Sequence, residues 1–414
     1  MKKVILFANS TWCIYNFRLN LMKALLENGC SVHVLAPLDP TYENATFIKR
    51  FEELGVTFHE IPLQPRGINP LRELLSIAKI FVTLRKIRAD VVLSYTVKCN
   101  IYAGFCQRFL GFTQAANIPG LGEVFERRST LAFIVSALYR VAFRGMSKAF
   151  FQNREDLSYC LEHRLVPADR CTLVPGSGVD LVRFQPAPPP RQNGKRIFLM
   201  FGRVLSQKGY PEYLQAAETV KKLFGESVEF RVMGIEDKNR PDSIKLFGLL
   251  REAEQKGVIR LIPTAINVVP VLADVDAVVL PSRYNEGIPR SLLEAMAMAK
   301  VIITTDWRGC RETVDHGRNG YLVPLRSVPD LVQAISTVVS LEDDEIRAMG
   351  LKSRALVEHR FDERRVLNEY LEFALGFVPE ASADDADIGL EANAGTLHST
   401  SIAKPEIRTA INDA

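Results

Sequence analysis

The amino-acid sequence predicts an α/β protein made of two doubly wound, parallel-sheet domains facing each other across a cleft. Three observations point there. Short β-rich apolar runs alternate with amphipathic helical stretches over most of the 414 residues. Near the midpoint the segment Phe184-Gln185-Pro186-Ala187-Pro188-Pro189-Pro190 breaks the alternation, because clustered prolines continue neither a helix nor a central strand. The composition, 47% hydrophobic and 24% charged, is that of a globular chain and excludes a collagen-like, disulfide-stapled or wholly disordered protein.

The first apolar run, Val4-Ile5-Leu6-Phe7-Ala8, stops at Asn9-Ser10. It is shorter than the roughly 7–15 apolar residues of a signal-peptide core, so it reads as a buried strand, Lys3–Ala8. Strands are then expected at Ser31–Ala36, Thr57–Pro62, Asp90–Tyr95, Thr113–Ile118 and Lys148–Gln152. Helices at Tyr15–Leu26, Pro70–Lys86, Leu131–Phe143 and Arg154–Leu161 separate several of them. After the prolines the pattern resumes with strands Arg196–Phe201, Val228–Met233, Val258–Ile262, Ala277–Leu280, Val301–Thr304 and Gly320–Val323. Its helices are Pro211–Leu223, Ser243–Gln255, Pro289–Met298, Val328–Val339 and Asp343–Arg360. The expected domains are therefore 1–185 and 186–360, with a last helix at about 361–377 packing back on the first. Residues 378–414, with runs such as Ala381-Ser382-Ala383-Asp384-Asp385, read as a disordered tail.

Charge and cysteine usage narrow the class. The 52 Lys and Arg against 48 Asp and Glu leave a net +4, far from the excess of a dedicated nucleic-acid binder. No aromatic-basic platform is present, and the first strand lacks the G-x-G-x-x-G of dinucleotide oxidoreductases. No apolar run approaches the roughly 20 residues that span a bilayer. Seven cysteines without a C-x-x-C pair indicate neither a disulfide framework nor a zinc site, but reduced thiols in a cytosolic protein.

The strongest chemical constellation runs from Pro281 to Ala299, after the strand Ala277–Leu280 and into a helix. Gly287 permits close backbone approach, Pro289 suits a first helical position, and amides from Arg290 onward would face an anion. Glu286 and Glu294 bracket this turn eight residues apart, so both carboxylates can accept from the hydroxyls of one sugar or ribose. From spacing alone, a helix cap and a solvated helix carboxylate explain the pair equally well. A second segment, Phe201-Gly202-Arg203-Val204-Leu205-Ser206-Gln207-Lys208-Gly209, places two cations beside a strand end. They suit a diphosphate, although two solvated loop cations would look the same.

Together these segments resemble family 4 of the retaining glycosyltransferases, enzymes of the GT-B fold. The resemblance implies that Glu286 contacts the donor sugar and Glu294 the nucleotide ribose. It also implies that Arg203 and Lys208 hold the nucleotide diphosphate and stabilise it as it leaves, with Gly202, Gly287, Ile288 and Arg290 completing the donor site. Pro175–Asp180, Thr305–Val314 and Asp315–Gly320 resemble further blocks of the family, and the similarity extends from Lys3 to about Phe377. One departure is Ala299-Lys300, where a glycine is common in the family.

Ser10–Arg18, Tyr95–Tyr102 and Asn117–Gly122 each follow an expected strand. They resemble the acceptor-side loops of bacterial enzymes that extend sugars on undecaprenyl diphosphate, such as the N-acetylgalactosaminyltransferases of glycan assembly. The resemblance implies an acceptor site containing Asn16, Arg18, Lys98 and Asn117, with Arg18 and Lys98 beside the acceptor diphosphate. As residues alone, the two cations also fit a helix surface or a strand end. The stretch Arg127–Lys148 carries five cations and no acid around an apolar centre. It reads either as a helix resting on an anionic bilayer or as a core helix with basic ends. Residues 1–190 hold 23 Lys and Arg against 15 Asp and Glu, so the expected attachment is peripheral, on the inner face of the cytoplasmic membrane.

The expected reaction is transfer from a nucleotide-sugar, UDP-HexNAc or UDP-hexose, to a polyprenyl-diphosphate-linked saccharide, with no cofactor and no required metal. Asp274-Val275-Asp276 only formally matches a metal-binding Asp-x-Asp, since it leads into a buried strand. No histidine lies between His59 and His163 to act as base in the acceptor loops, and no carboxylate stands out as a nucleophile. Front-face substitution, driven by support of the leaving diphosphate, is the mechanism left. The alternatives are another GT-B enzyme, such as a nucleotide-sugar 2-epimerase, and a non-catalytic membrane-associated partner.

Overall fold

A computed structural model describes residues 1–39, 43–64, 67, 69–121, 125, 130–187, 194–285 and 287–377. The expected tail 378–414, the prolines 188–190, Gly122, Arg127 to Ser129 and Glu286 lie outside the described residues.

The first series runs β1 (Lys3–Phe7), α1 (Thr11–Glu27), β2 (Ser31–Ala36), α2 (Asn44–Glu53), β3 (Thr57–Glu60), α3 (Pro70–Ile87) and β4 (Val91–Tyr95). It continues with α4 (Val97–Leu110), β5 (Thr113–Ile118), α5 (Thr130–Ala142), β6 (Lys148–Phe151), α6 (Arg154–Glu162) and β7 (Cys171–Leu173). These strands form one parallel sheet in the order β3-β2-β1-β4-β5-β6-β7. Successive residues of β1 feed opposite faces, as a strand period of two requires. Ile5 and Phe7 join Ile80, Tyr139 and Phe143 on one side, while Val4 and Leu6 join Ile14, Phe51 and Tyr370 on the other.

The second series runs β8 (Arg196–Arg203), α7 (Tyr210–Phe224), β9 (Val228–Ile235), α8 (Pro241–Gln255), β10 (Arg260–Leu261), α9 (Val269–Ala273) and β11 (Ala277–Leu280). Then come α10 (Arg290–Ala297), β12 (Val301–Thr305), α11 (Arg308–Arg311), β13 (Gly320–Val323), α12 (Val328–Ser340) and α13 (Asp343–Arg360). Its parallel sheet has the order β10-β9-β8-β11-β12-β13. Strands so placed are covered on both faces, hence their uninterrupted apolar runs. The fold class read from the sequence is the one observed.

The last helix, α14 (Glu363–Leu375), sends Val366, Tyr370, Leu371 and Ala374 into the first sheet's core beside α1. The chain therefore crosses between the sheets twice. The crossings lie side by side: Val179 N–H donates to Phe361 O at 2.9 Å, and Glu363 N–H donates to Val179 O at 3.1 Å.

Two stretches read as acceptor loops are largely helical. Helix α1 starts at Thr11, because the Ser10 hydroxyl caps it by accepting from Cys13 N–H at 3.2 Å. Helix α4 starts at Val97, immediately after Thr96 makes a sharp turn at φ 74°. Helix α10 begins one residue later than expected, with Pro289 as its capping residue.

Candidate functional site

In each sheet the strand order reverses beside the first strand, between β1 and β4 and between β8 and β11. Loops at the carboxyl ends of such strands form the crevice where open α/β sheets bind ligands. In the second sheet those loops are 202–209 and 281–289, the two segments that the sequence singles out.

Close packing joins these loops. Gly209 sits at φ 87°, and a Cβ there would run into the Pro281 carbonyl, so only glycine lets the turns touch. Arg283 N–H donates to Gln207 O at 2.8 Å, and the Tyr210 hydroxyl donates to Gly202 O at 2.9 Å. Arg203 ends β8 and Lys208 closes the short 3-10 turn Ser206–Lys208, both half-buried. Arg203 approaches the first domain closely enough to favour the ionised Cys13 thiol electrostatically, although burial dominates and pushes that thiol up.

Arg290 and Glu294 form an ion pair one helical turn apart, Nε to Oε1 at 3.1 Å. The Arg290 Nη1 also donates to Gly178 O at 2.7 Å, and the guanidinium lies 5.8 Å from the centre of the Phe17 ring. This residue thus connects α10, the glycine-rich segment and α1. Burial raises the Glu294 carboxyl above its ordinary range, with Arg290 opposing the shift. Burial likewise raises Glu363 at the start of α14, where Asn20 bridges it and Asp180 at 3.0 Å each. Asn20, Asp180 and Glu363 carry no motif of their own, and only the glycine-rich block beside Asp180 hinted at them.

Other expected residues have different surroundings. Ile288 is buried in the second core against Gly176, so its side chain packs where donor contact was expected. Gly287 meets the other domain: its N–H donates to Pro119 O at 2.5 Å, and a Cβ would lie 2.6 Å from Gln152 Oε1. Asn117 is buried and spent inside the first domain. Its Nδ2 donates to the Tyr370 hydroxyl, its Oδ1 accepts from Gln152 at 3.3 Å, and its carbonyl accepts from Asn100 at 2.8 Å. Lys98 is occupied too, its Nζ donating to Gln64 O at 2.8 Å, Gly67 O at 2.5 Å and Glu73 Oε1 at 2.7 Å. An ammonium has three donors, so Lys98 holds the α3 entry loop where an acceptor-phosphate contact was expected. Arg18 is buried between the Tyr95 and Tyr370 rings, 4.7 and 5.2 Å from their centres, and its Nη1 donates to Phe17 O. Asn16 is half-buried and donates to Trp12 O at 3.0 Å. Of the expected acceptor set, Asn16 and Arg18 belong to the helix that borders the cleft.

The chain is similar to known proteins over most of its length. Residues 195–340, the span containing Arg203, Lys208, Arg290 and Glu294, match the family model described as Glycosyl transferases group 1. Across 86% of this chain and 94% of its own length, the N,N'-diacetylbacillosaminyl-diphospho-undecaprenol alpha-1,3-N-acetylgalactosaminyltransferase of Campylobacter jejuni is 24% identical. The UDP-Gal:alpha-D-GlcNAc-diphosphoundecaprenol alpha-1,3-galactosyltransferase of Escherichia coli is 23% identical over 69% of this chain and 75% of its own. Among solved structures, a glycosyltransferase from Rickettsia africae superposes with a TM-score of 0.71 at 17% identity, covering 92% of this chain and all of that one. Anabaena HepE, solved with UDP and glucose, gives 0.71 at 16% identity, covering 91% of this chain and all of that one.

The fold is GT-B, two Rossmann-like domains. The chain is a glycosyltransferase, and it carries a group 1 glycosyltransferase domain.

Proposed function

We propose that this enzyme transfers a sugar, HexNAc or hexose, from a UDP-sugar to a saccharide carried on polyprenyl diphosphate in surface glycan assembly. The transfer retains the anomeric configuration and needs no metal. The single observation that carries the reading is the packing of the Arg203–Lys208 loop against the loop leading to Arg290 and Glu294, at the switch point of the second sheet. Two cations there suit a diphosphate, and a carboxylate one turn into α10 suits a ribose. The leaving diphosphate, supported by Arg203 and Lys208, takes the proton of the incoming acceptor hydroxyl as the new bond forms on the same face. The acceptor class follows the Campylobacter and Escherichia relatives, whose names carry a saccharide on undecaprenyl diphosphate.

The first domain's surface supports delivery at a membrane. Helix α5 buries Ala132, Tyr139 and Ala142 but exposes Leu131, Phe133, Ile134 and Leu138. The neighbouring α3 and α4 add exposed Leu71, Leu74, Leu75, Val82 and Phe109, with Phe133 72% and Phe109 80% exposed. The same three helices carry exposed Arg72, Lys79, Arg85, Lys86, Arg108 and Arg140, a combination that favours anionic lipid. Among the described residues no helix is long and apolar enough to cross a membrane, which fits peripheral attachment at the cytoplasmic face.

The test is incubation with a panel of UDP- and GDP-sugars and a short polyprenyl-diphosphate saccharide. Lys208→Ala and Glu286→Ala should each lose most transfer while staying folded. Retained turnover in both variants sinks the proposal.

A further inference from the structure

We infer that Asp156 and Arg308 are a positioning pair that seats the acceptor-side loop of the first domain on the donor loop of the second. The assignment rests on the transfer reading above. Asp156 lies on α6 with its side chain fully buried. Its carboxylate accepts from three donors: Asn153 Nδ2 at 2.8 Å, Leu121 N–H at 3.3 Å and Arg308 Nη1 at 2.7 Å. The first is local, the second comes from the loop after β5, and the third crosses from the other domain.

Arg308 opens α11 at φ 31°, a left-handed backbone that a non-glycine residue adopts only under constraint from its surroundings. Its neighbour Gly309 presses on the donor loop: a Cβ there would strike the Gly287 carbonyl and lie 2.9 Å from Ile288 N. Gly287 in turn donates to Pro119 O at 2.5 Å, two residues before Leu121. The contacts close a ring from Leu121 to Asp156, Arg308, Gly309, Gly287 and back through Pro119. Any slack in this part-buried ion pair therefore shifts the distance between acceptor-side and donor loops, and transfer rates are steep in that distance. A second cross-domain contact, Arg311 to Glu155 at 3.5 Å, is between half-exposed groups and adds little by itself. Asp156 and Arg308 both lie outside the Arg203–Lys208 loop, so nucleotide binding is a separate readout.

The experiment uses the full chain with Arg308→Ala, Arg308→Lys and Asp156→Asn/Arg308→Ala. UDP affinity, kcat for transfer and amide hydrogen exchange are measured on each. Arg308→Ala should bind UDP within about twofold of wild type yet lose roughly tenfold or more in kcat. Peptides covering 117–121 and 287–293 should exchange faster. The lysine variant should recover part of kcat, and the double variant should be no slower than Arg308→Ala, because both changes act through one contact. Wild-type kcat in Arg308→Ala, UDP affinity falling as far as kcat, or unchanged exchange in both peptides overturns the assignment. A wild type that transfers no sugar refutes the transfer reading instead, and the exchange measurement still decides the pair.

Discussion

Gly287 and Gly309 meet backbone to backbone, so tightly that a methyl group on Gly309 has no room beside the Gly287 carbonyl. Gly287 lies just before α10 and Gly309 in the turn of α11, and a Cβ on Gly287 would in its turn meet Pro119 O and Gln152 of the first domain.

Gly309→Ala should therefore lower stability by about 1–3 kcal/mol, the usual cost of forcing atoms into a packed site. Urea unfolding measures it. Wild-type stability in that variant would mean the loop relaxes freely.

Arg203→Ala and Lys208→Ala should each reduce transfer by roughly 100-fold or more, since each removes a cation from the leaving diphosphate. Far-ultraviolet circular dichroism should match wild type, because both residues sit half-buried at the cleft and outside the core.

Stability should respond to alkaline pH through Lys300. This ammonium is buried at the start of β12, near Ala187 O and Ala273 O, and burial lowers it from 10.5 to about 8 against the pull of Asp276 and Asp274. The unfolded chain binds the extra proton between pH 8 and 10.5, so folding there releases it and stability rises with pH. Below pH 8 the destabilisation is fully present, up to roughly 3 kcal/mol from the gap between the two values. Lys300→Met should remove this rise, seen as a flatter plot of unfolding free energy against pH across that window.

Leu75→Glu combined with Phe133→Glu should weaken co-sedimentation with phosphatidylglycerol vesicles by about tenfold, as two exposed apolar side chains stop entering lipid. Wild-type binding should also fall at high salt, because the cations on α3, α4 and α5 act through screened charge. Unchanged binding in the double variant removes the membrane surface from the proposal.

The anomeric configuration of the product should equal that of the donor by proton NMR. A chelator should leave the rate within about twofold, since the scheme assigns diphosphate support to Arg203 and Lys208 instead of a Lewis acid.

The packing of the Arg203–Lys208 loop beside the segment that leads into α10 was legible in the sequence because both segments are local. Each is a strand, a turn and a helix start read without interruption, and the fold had only to bring two neighbouring loops together. Helix α4 was not legible. Its Cys99, Asn100, Ile101, Tyr102, Ala103, Gly104 and Cys106 are all buried, so no polar face gives it a period. Gly104, which reads as a helix breaker, is there because a Cβ would lie 2.6 Å from Ala142 O on α5. Helix α2 shows only Phe47 and Phe51 as buried markers, too thin a stripe to recognise. The partners of Lys98 come from 25 to 34 residues away, and Asp156–Arg308 joins positions 152 apart. Contacts of that range exist only once both sheets are folded.

The paired crossings at Val179 and Asp362 have an architectural consequence. Residues between them form an insertion whose two ends emerge at neighbouring points, while α14 completes the parent module behind them. The second sheet is thus a module entered and left at one place, and the first sheet's core is closed by residues from before and after it.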